Sequence, residues 1–85
     1  MKTYRISFSA ESKKFLRKLD RRLQLRIVAK METLETDPRP RAAKKLVGRN
    51  GWRLRVDDYR VIYTIEDDRL LIMIVRVGHR KEIYR

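Results

Sequence analysis

The sequence has no cysteine and only one histidine among its 85 residues. Without cysteine, a disulfide scaffold, a thiol nucleophile and a zinc finger or ribbon are excluded. A single histidine argues against a metal cage built from imidazoles, so we expect no metal and no other cofactor. The longest apolar run, Leu70 to Val75, has six residues. This is far too short for a membrane-spanning helix.

Acidic residues are scarce, since 11 Asp and Glu stand against 23 Lys and Arg and the formal net charge is +12. Such an excess of positive charge favours a polyanionic partner, nucleic acid before an anionic membrane. The N-terminus begins with basic residues but never reaches the apolar stretch of a signal peptide. We therefore expect a cytoplasmic protein with no membrane partner. The length predicts one domain, residues 1–85, with a thin core.

The first half of the chain predicts a strand followed by two helices. Residues 4–8 alternate between apolar and polar, as in a half-buried strand. Ser9 suits the N-cap of a first helix, and Asp20 that of a second helix running to Leu34 with apolar residues three and four positions apart. Because almost no loop separates them, the two helices predict an αα-hairpin, which ends before Pro38.

The second half of the chain predicts three strands. Residues 52–56 and 59–65 alternate in polarity on either side of a turn at Asp57-Asp58. Residues 70–77 are apolar at nearly every position, as expected of a central strand covered on both faces, and Gly78 is expected to end it. The order β-α-α-β-β-β predicts an α+β fold, in which an antiparallel sheet packs against an N-terminal helical hairpin.

The turn at Asp57-Asp58 also predicts how its two flanking strands pair. It sets Arg55 directly opposite Arg60, with Arg53 two residues further along the same face. Like charges at opposite positions destabilise a sheet by up to about 1 kcal/mol. An anion between them would convert this cost into a bidentate phosphate clamp. The alternatives are splayed or locally paired arginines on a solvated face, or a turn shifted by one residue, which would move Arg60 to the other face.

A second group of candidate residues follows Gly78. His79 can take and return a proton near neutral pH, and Tyr84 offers a ring on which a base can stack. Cleavage of RNA through its 2′-hydroxyl needs a proton acceptor, positive charge for the phosphorane, a donor for the leaving oxygen and a surface that holds the bases. The candidate residues that together could fill these roles without a metal are Arg53, Arg55, Arg60, His79, Arg80 and Tyr84.

The motif Tyr59-Arg60-Val61-Ile62-Tyr63, followed by the apolar strand and Val77-Gly78-His79-Arg80, resembles the RelE/ParE toxin superfamily, and within it the RelE branch. The resemblance covers the whole chain. It implies a fold similar to the microbial RNases and the activity of a metal-independent endoribonuclease (an mRNA interferase). Such toxins of type II toxin–antitoxin systems cut mRNA in the ribosomal A site and so inhibit translation.

The resemblance assigns the candidate residues position by position. Arg53 and Arg55 stand where the best-known member has two lysines, Arg60 matches its phosphate-binding arginine, and Arg80 and Tyr84 match an arginine and a tyrosine near its C-terminus. Arg55 replaces a lysine implicated as general base. Since arginine does not lose its proton in a protein, His79 becomes the better acid–base candidate.

The resemblance also implies partners. The basic surface would dock on mRNA and ribosomal RNA, through Lys13, Lys14, Arg17, Lys18, Arg22, Lys44 and Lys45. A RelB-like antitoxin with an acidic, amphipathic segment would neutralise the toxin, because it must cover a +12 surface. Two alternatives stay open: a ParE-like toxin that inhibits DNA gyrase without hydrolysis, and a module that only binds nucleic acid.

Overall fold

The computed structural model describes residues 3–79. Within them the predicted α+β fold and helical hairpin are confirmed, with one additional short strand, β2. The elements in chain order are β1 (Arg5–Phe8), α1 (Ala10–Arg17), α2 (Arg21–Glu32), β2 (Lys44–Lys45), β3 (Trp52–Val56), β4 (Tyr59–Glu66) and β5 (Leu71–His79), with 3₁₀ turns at Thr33–Glu35 and Asp67–Arg69.

The strands form one five-stranded sheet in the order β1-β5-β4-β3-β2. All neighbouring pairs are antiparallel except β1 and β5, which are parallel. The predicted antiparallel sheet is therefore confirmed for three of the four neighbouring pairs, and β1 with β5 is the exception. Parallel strands cannot be joined by a tight turn and need a long connection. Here the connection runs through the helical hairpin and then through β2, β3 and β4.

Both predicted helix caps are confirmed. Ser9 Oγ accepts a hydrogen bond from the Ser12 backbone N–H at 3.1 Å, and Asp20 Oδ1 accepts one from Leu23 N–H at 3.0 Å. Each cap satisfies an amide that has no partner within its own helix. The second helix ends two residues earlier than predicted, at Glu32, and Leu34 lies in the 3₁₀ turn that follows.

Strand β5 contains a bulge at Val75. The pairing with β4 shifts there, so that Ile74 and Arg76 oppose adjacent residues of β4 and Val75 is extra. Two serines at the start of α1 bind this bulge: Ser9 Oγ donates to Val75 O at 2.7 Å, and Ser12 Oγ donates to Ile74 O at 3.0 Å. Ser12 is fully buried. The bulge and the start of α1 are therefore bonded to each other.

Two details of β5 differ from the sequence prediction. Gly78 does not end the strand, since it pairs with Arg60 and the strand continues to His79. Nor is β5 covered on both faces, since Val75 is 39% exposed. Cover on one face is enough to bury the core residues of β5, because β1 and β4 flank this strand on either side.

The hydrophobic core lies between the helical hairpin and one face of the sheet. Tyr63 is its largest fully buried side chain, and its hydroxyl donates to Pro38 O at 2.7 Å. Burial raises the pKa of Tyr63 to about 12. The other core residues include Leu16, Ile27, Met31, Leu34, Leu54, Val56, Val61, Ile72, Ile74 and Val77. The opposite face, called the outer face below, carries no helix among residues 3–79.

Candidate nucleic-acid interface

The register predicted from the Asp57-Asp58 turn is confirmed. Val56 pairs with Tyr59, and Arg55 pairs with Arg60. Asp57 has a φ of 55°, a left-handed conformation that aspartate tolerates better than most residues. Since Leu54, Val56 and Val61 lie in the core, strand alternation puts the intervening arginines on the outer face.

Five cations meet on the outer face in two adjacent rows that cross the strands. One row runs Lys44–Arg53–Ile62–Arg76, and the next runs Arg55–Arg60–Gly78. Residues two apart on a strand are about 7 Å apart, and neighbouring strands are about 5 Å apart, so the charges occupy a small area. We call this set the basic face: Lys44, Arg53, Arg55, Arg60 and Arg76.

Arg76 was missed as a site residue, although its charge within an otherwise apolar strand was a visible signal. The bulge decides its position. With regular alternation from the buried Ile72 and Ile74, Arg76 would point into the core; the extra residue at Val75 turns it outward.

Arg60 is the buried member of the basic face, with 7% of its surface exposed. Its Nη1 lies 3.5 Å from Tyr59 O, and its neighbour on β5 is Gly78. Because Gly78 has no side chain, the guanidinium group of Arg60 meets no neighbouring side chain at that position. Arg60 is thus held in a defined position between strands rather than extended into solvent.

Arg55 adopts a different arrangement. Its Nε donates to Asp57 O in the adjoining turn at 3.3 Å, and the residue borders a groove next to helix α2. Of the two local alternatives considered from the sequence, local pairing describes Arg55, which bonds to the backbone oxygen of Asp57, and splaying does not describe the buried Arg60.

His79 lies on the other side of the sheet. It pairs with Tyr59, and the two rings make an edge-to-face contact with centroids 5.5 Å apart. Tyr59 in turn contacts Phe15 of α1 at 6.1 Å. The structure therefore brings Arg53, Arg55 and Arg60 to one face and His79 to the helix side. Arg80 and Tyr84 are outside the described residues.

The residues expected to contact ribosomal RNA are all exposed, but they belong to different surfaces. Lys44 belongs to the basic face. Lys45 lies at the sheet edge, with Nζ 5.5 Å from the centre of the Trp52 ring, which Arg39 also approaches at 5.8 Å. The others follow the helical hairpin: Lys13, Lys14, Arg17, Lys18 and Arg22. The molecule thus presents positive charge on both of its layers.

A separate polar cluster joins residues 38–40, called the proline segment, to the β4–β5 turn. Arg39 binds both carboxylate oxygens of Asp67, at 3.2 and 2.7 Å, and Tyr4 Oη donates to Asp67 at 2.6 Å. The hydrogen bond to Asp67 raises the pKa of Tyr4. This cluster lies away from the basic face and has a structural role.

Within residues 3–79, no three His, Cys, Asp or Glu side chains are grouped so that they could hold a metal ion. The two helices of the same range are also too short and too polar to cross a membrane.

A family model described as the ParE toxin of the type II toxin–antitoxin system parDE matches residues 6–84. The chain belongs to the RelE/ParE toxin superfamily. It is therefore a toxin of a type II toxin–antitoxin system. No curated protein matches it in sequence.

Solved structures of RelE toxins have the same fold as this member of the superfamily. The toxin–antitoxin complex RelBE2 of Mycobacterium tuberculosis matches with 28% identity and a TM-score of 0.83, covering 96% of this chain and 97% of that one. The archaeal RelE–RelB complex of Pyrococcus horikoshii matches with 28% identity, 94% and 98% coverage and a TM-score of 0.79. The isolated RelE toxin of E. coli matches with 26% identity, 95% and 90% coverage and a TM-score of 0.79.

Proposed function

We propose that this toxin is an endoribonuclease that cuts mRNA in the A site of the ribosome, in the cytoplasm, and thereby inhibits translation. The observation that carries this function is the pairing of Arg55 with Arg60 on the outer face, next to Arg53. Folding alone disfavours like charges at opposite positions. A phosphate that binds between the two strands removes the repulsion and uses the fork geometry of guanidinium.

The basic face suits the charge that develops when RNA is cut through its 2′-hydroxyl. As the 2′-oxygen loses its proton and bonds to phosphorus, a phosphorane with additional negative charge forms; the bond from phosphorus to the 5′-oxygen then breaks and that oxygen takes up a proton. Fixed cations stabilise the phosphorane more than they stabilise the bound substrate. Arg60 is buried and therefore positioned before the substrate arrives. In this mechanism guanidinium groups supply the positive charge, and the role of Arg53, Arg55 and Arg60 is electrostatic.

We assign His79 to positioning rather than to proton transfer. Its ring packs on Tyr59 on the helix side, while the phosphate-binding arginines are on the outer face. An aromatic contact of this kind is worth about 0.5–1.5 kcal/mol, enough to hold the end of β5 in place. Lys44, opposite Arg53, also lies on the outer face. Arg80 and Tyr84 stay candidates from the family resemblance.

The test is cleavage of mRNA on purified, programmed ribosomes, with new 5′ ends mapped by primer extension. Arg53→Gln and Arg60→Gln are expected to lower the rate by roughly 10²–10³-fold each, the usual effect of removing one transition-state donor. The matched control is Arg69→Gln, an exposed arginine paired with Glu66 in the β4–β5 turn. His79→Phe, which keeps an aromatic ring against Tyr59, is expected to retain cleavage within about tenfold.

Two results would contradict this function. Arg53→Gln and Arg60→Gln that are folded by circular dichroism and still cut at the rate of Arg69→Gln would remove the basic face from the reaction. Cleavage of free mRNA at the same rate as ribosome-bound mRNA would remove the ribosome from it. A large loss in His79→Phe would instead return proton transfer to His79.

Inhibition of DNA gyrase is the second candidate, because the matching family model is described as a ParE toxin. A non-hydrolytic inhibitor does not require five cations on one face of the sheet. Growth arrest with intact mRNA and altered plasmid supercoiling would support gyrase inhibition and would leave the basic face without a catalytic role.

We also propose that a RelB-like antitoxin with an acidic, amphipathic segment holds this toxin inactive. The structures of M. tuberculosis RelBE2 and P. horikoshii RelE–RelB are toxin–antitoxin complexes. On the present chain, the outer face combines the basic face with partly exposed apolar residues, which an amphipathic acidic segment complements in both charge and polarity. These residues are Ile62, Leu71, Met73 and Val75.

A further inference from the structure

An open groove separates helix α2 from the β3–β4 turn and encloses about 520 Å³. Helix α2 contributes Arg26 and Lys30 to it, Thr33 continues that wall, and Arg55 and Asp57 form the opposite wall. Arg26 and Lys30 are four positions apart and thus on one side of the helix. Three cations from two elements therefore surround the groove, with one carboxylate among them.

The carboxylate shows that the groove can receive an oxyanion. Arg26 Nη2 lies 2.9 Å from Asp57 Oδ1 and 2.8 Å from Oδ2. The side chains are 60% and 42% exposed, respectively. Exposed ion pairs contribute at most about 1 kcal/mol, so an incoming anion can displace Asp57 at little cost. Phosphate presents the same type of oxygen to guanidinium and ammonium groups.

Arg55 joins this groove to the basic face. It pairs with Arg60 in the sheet, it borders the groove, and its Nε donates to Asp57 O in the turn. Positive side chains thus lie on both sides of the β3–β4 turn, while the turn itself consists of Asp57 and Asp58. A strand of RNA whose phosphate lies at Arg60 can pass this turn and reach the cations of helix α2.

We propose that the groove between α2 and the β3–β4 turn binds a second backbone phosphate of the RNA strand that occupies the basic face. Arg26 and Lys30 are its main ligands, and Asp57 occupies the site until RNA displaces it. This role rests on the proposed function, since the same RNA strand is the substrate.

The test is the salt dependence of binding to a fluorescently labelled single-stranded oligouridylate with 2′-O-methyl riboses, which cannot be cut through the 2′-oxygen. Lys30→Gln and Arg26→Gln are expected to weaken binding by roughly threefold or more at low ionic strength. Each should also lower the slope of log affinity against log salt by about 0.7, the value for one phosphate contact on a single strand. Arg21→Gln is the matched control, because Arg21 is exposed on the same helix and lies outside the groove.

A third variant tests the competition directly. Asp57→Asn removes the carboxylate but keeps a residue that tolerates the φ of 55°. With Arg26 released, this variant is expected to bind the oligouridylate roughly threefold more tightly than the wild type. A structural role of the ion pair alone would not raise RNA affinity.

Equal slopes for Lys30→Gln, Arg26→Gln and Arg21→Gln would overturn the groove as a phosphate site. So would unchanged RNA binding accompanied by weaker binding of oligoglutamate, which would assign the groove to an acidic peptide. Because the probe cannot be cleaved, this readout does not depend on ribosomal activity. A toxin that is inert on ribosomes but shows the slope change would lack the proposed function and keep the RNA-binding groove.

Discussion

The hydroxyl of Tyr63 gives the most quantitative prediction about this fold. Tyr63 is fully buried, and its hydrogen bond to Pro38 O fastens the proline segment over the sheet. Tyr63→Phe removes the donor with almost no change in volume. Loss of a buried hydrogen bond that leaves its acceptor without this partner costs about 1–2 kcal/mol. In a domain of this size, 1 kcal/mol lowers the Tm by roughly 4–8 °C.

The pKa of Tyr63 gives this variant a second signature. The pKa is about 12 in the folded state against 10.0 for an unperturbed tyrosine. Because the folded pKa is raised, the contribution of this group to stability is complete below pH 10 and is lost as the pH rises toward 12. By linkage the loss reaches about 1.4 kcal/mol at pH 11 and levels off near about 2.7 kcal/mol above pH 12. Tyr63→Phe has no proton to lose there.

Urea denaturation of both proteins between pH 7 and 12 measures this difference. The wild type is expected to be more stable at pH 7, and the two free energies of unfolding should meet between about pH 11 and 12. Tyr59→Phe controls for the loss of a hydroxyl, because that of Tyr59 makes no hydrogen bond within residues 3–79. A constant difference between wild type and Tyr63→Phe over the whole pH range would refute the reasoning.

Two further predictions concern the bulge and the loop before β3. Ser12→Ala should lower the free energy of unfolding in urea by only about 1 kcal/mol, because Ile74 O loses the Ser12 hydroxyl but still accepts a hydrogen bond from Ser9 N–H. A loss above about 3 kcal/mol would show that the bulge itself unfolds. Gly51→Ala should cost about 1–3 kcal/mol, because Gly51 has a φ of 133° and an added Cβ would lie 3.1 Å from Leu46 Cδ1. Gly48→Ala, at a φ of 74° and in open space, should cost only about 1 kcal/mol, and equal losses would contradict this account.

Local signals in the sequence predicted most of this fold. Ser9 and Asp20 marked the starts of the two helices, and the Asp57-Asp58 turn predicted the pairing of Arg55 with Arg60. These features depend on residues that are close in the chain. The parallel pairing of β1 with β5 depends on contacts between distant segments, which periodicity does not report.

The bulge at Val75 explains why the candidate site could be predicted only in part. Counting alternate residues from the buried Ile72 would put His79 on the outer face with the arginines, and Arg76 in the core. One extra residue reverses both, so that Arg76 joins the basic face and His79 packs on Tyr59. The hydroxyls of Ser9, the N-cap of α1, and of Ser12 stabilise this bulge, and its one sign within residues 70–79 is the charge of Arg76 in an otherwise apolar strand. The chemistry proposed for His79 from the sequence assumed that Gly78 ends the strand, whereas β5 continues to His79.

Strand β2 is short and leaves part of the edge of β3 open, next to the proposed path of RNA. β2 pairs with Trp52 and Arg53 only, so among the described residues the edge of β3 from Leu54 onward has no neighbouring strand. An open strand edge invites pairing with another chain, and a charged residue there prevents it. Arg55 is that residue, and it also borders the groove. A longer β2 would protect the edge but would separate the groove from the basic face. The same arginine therefore protects the open edge and adds positive charge between the basic face and the groove.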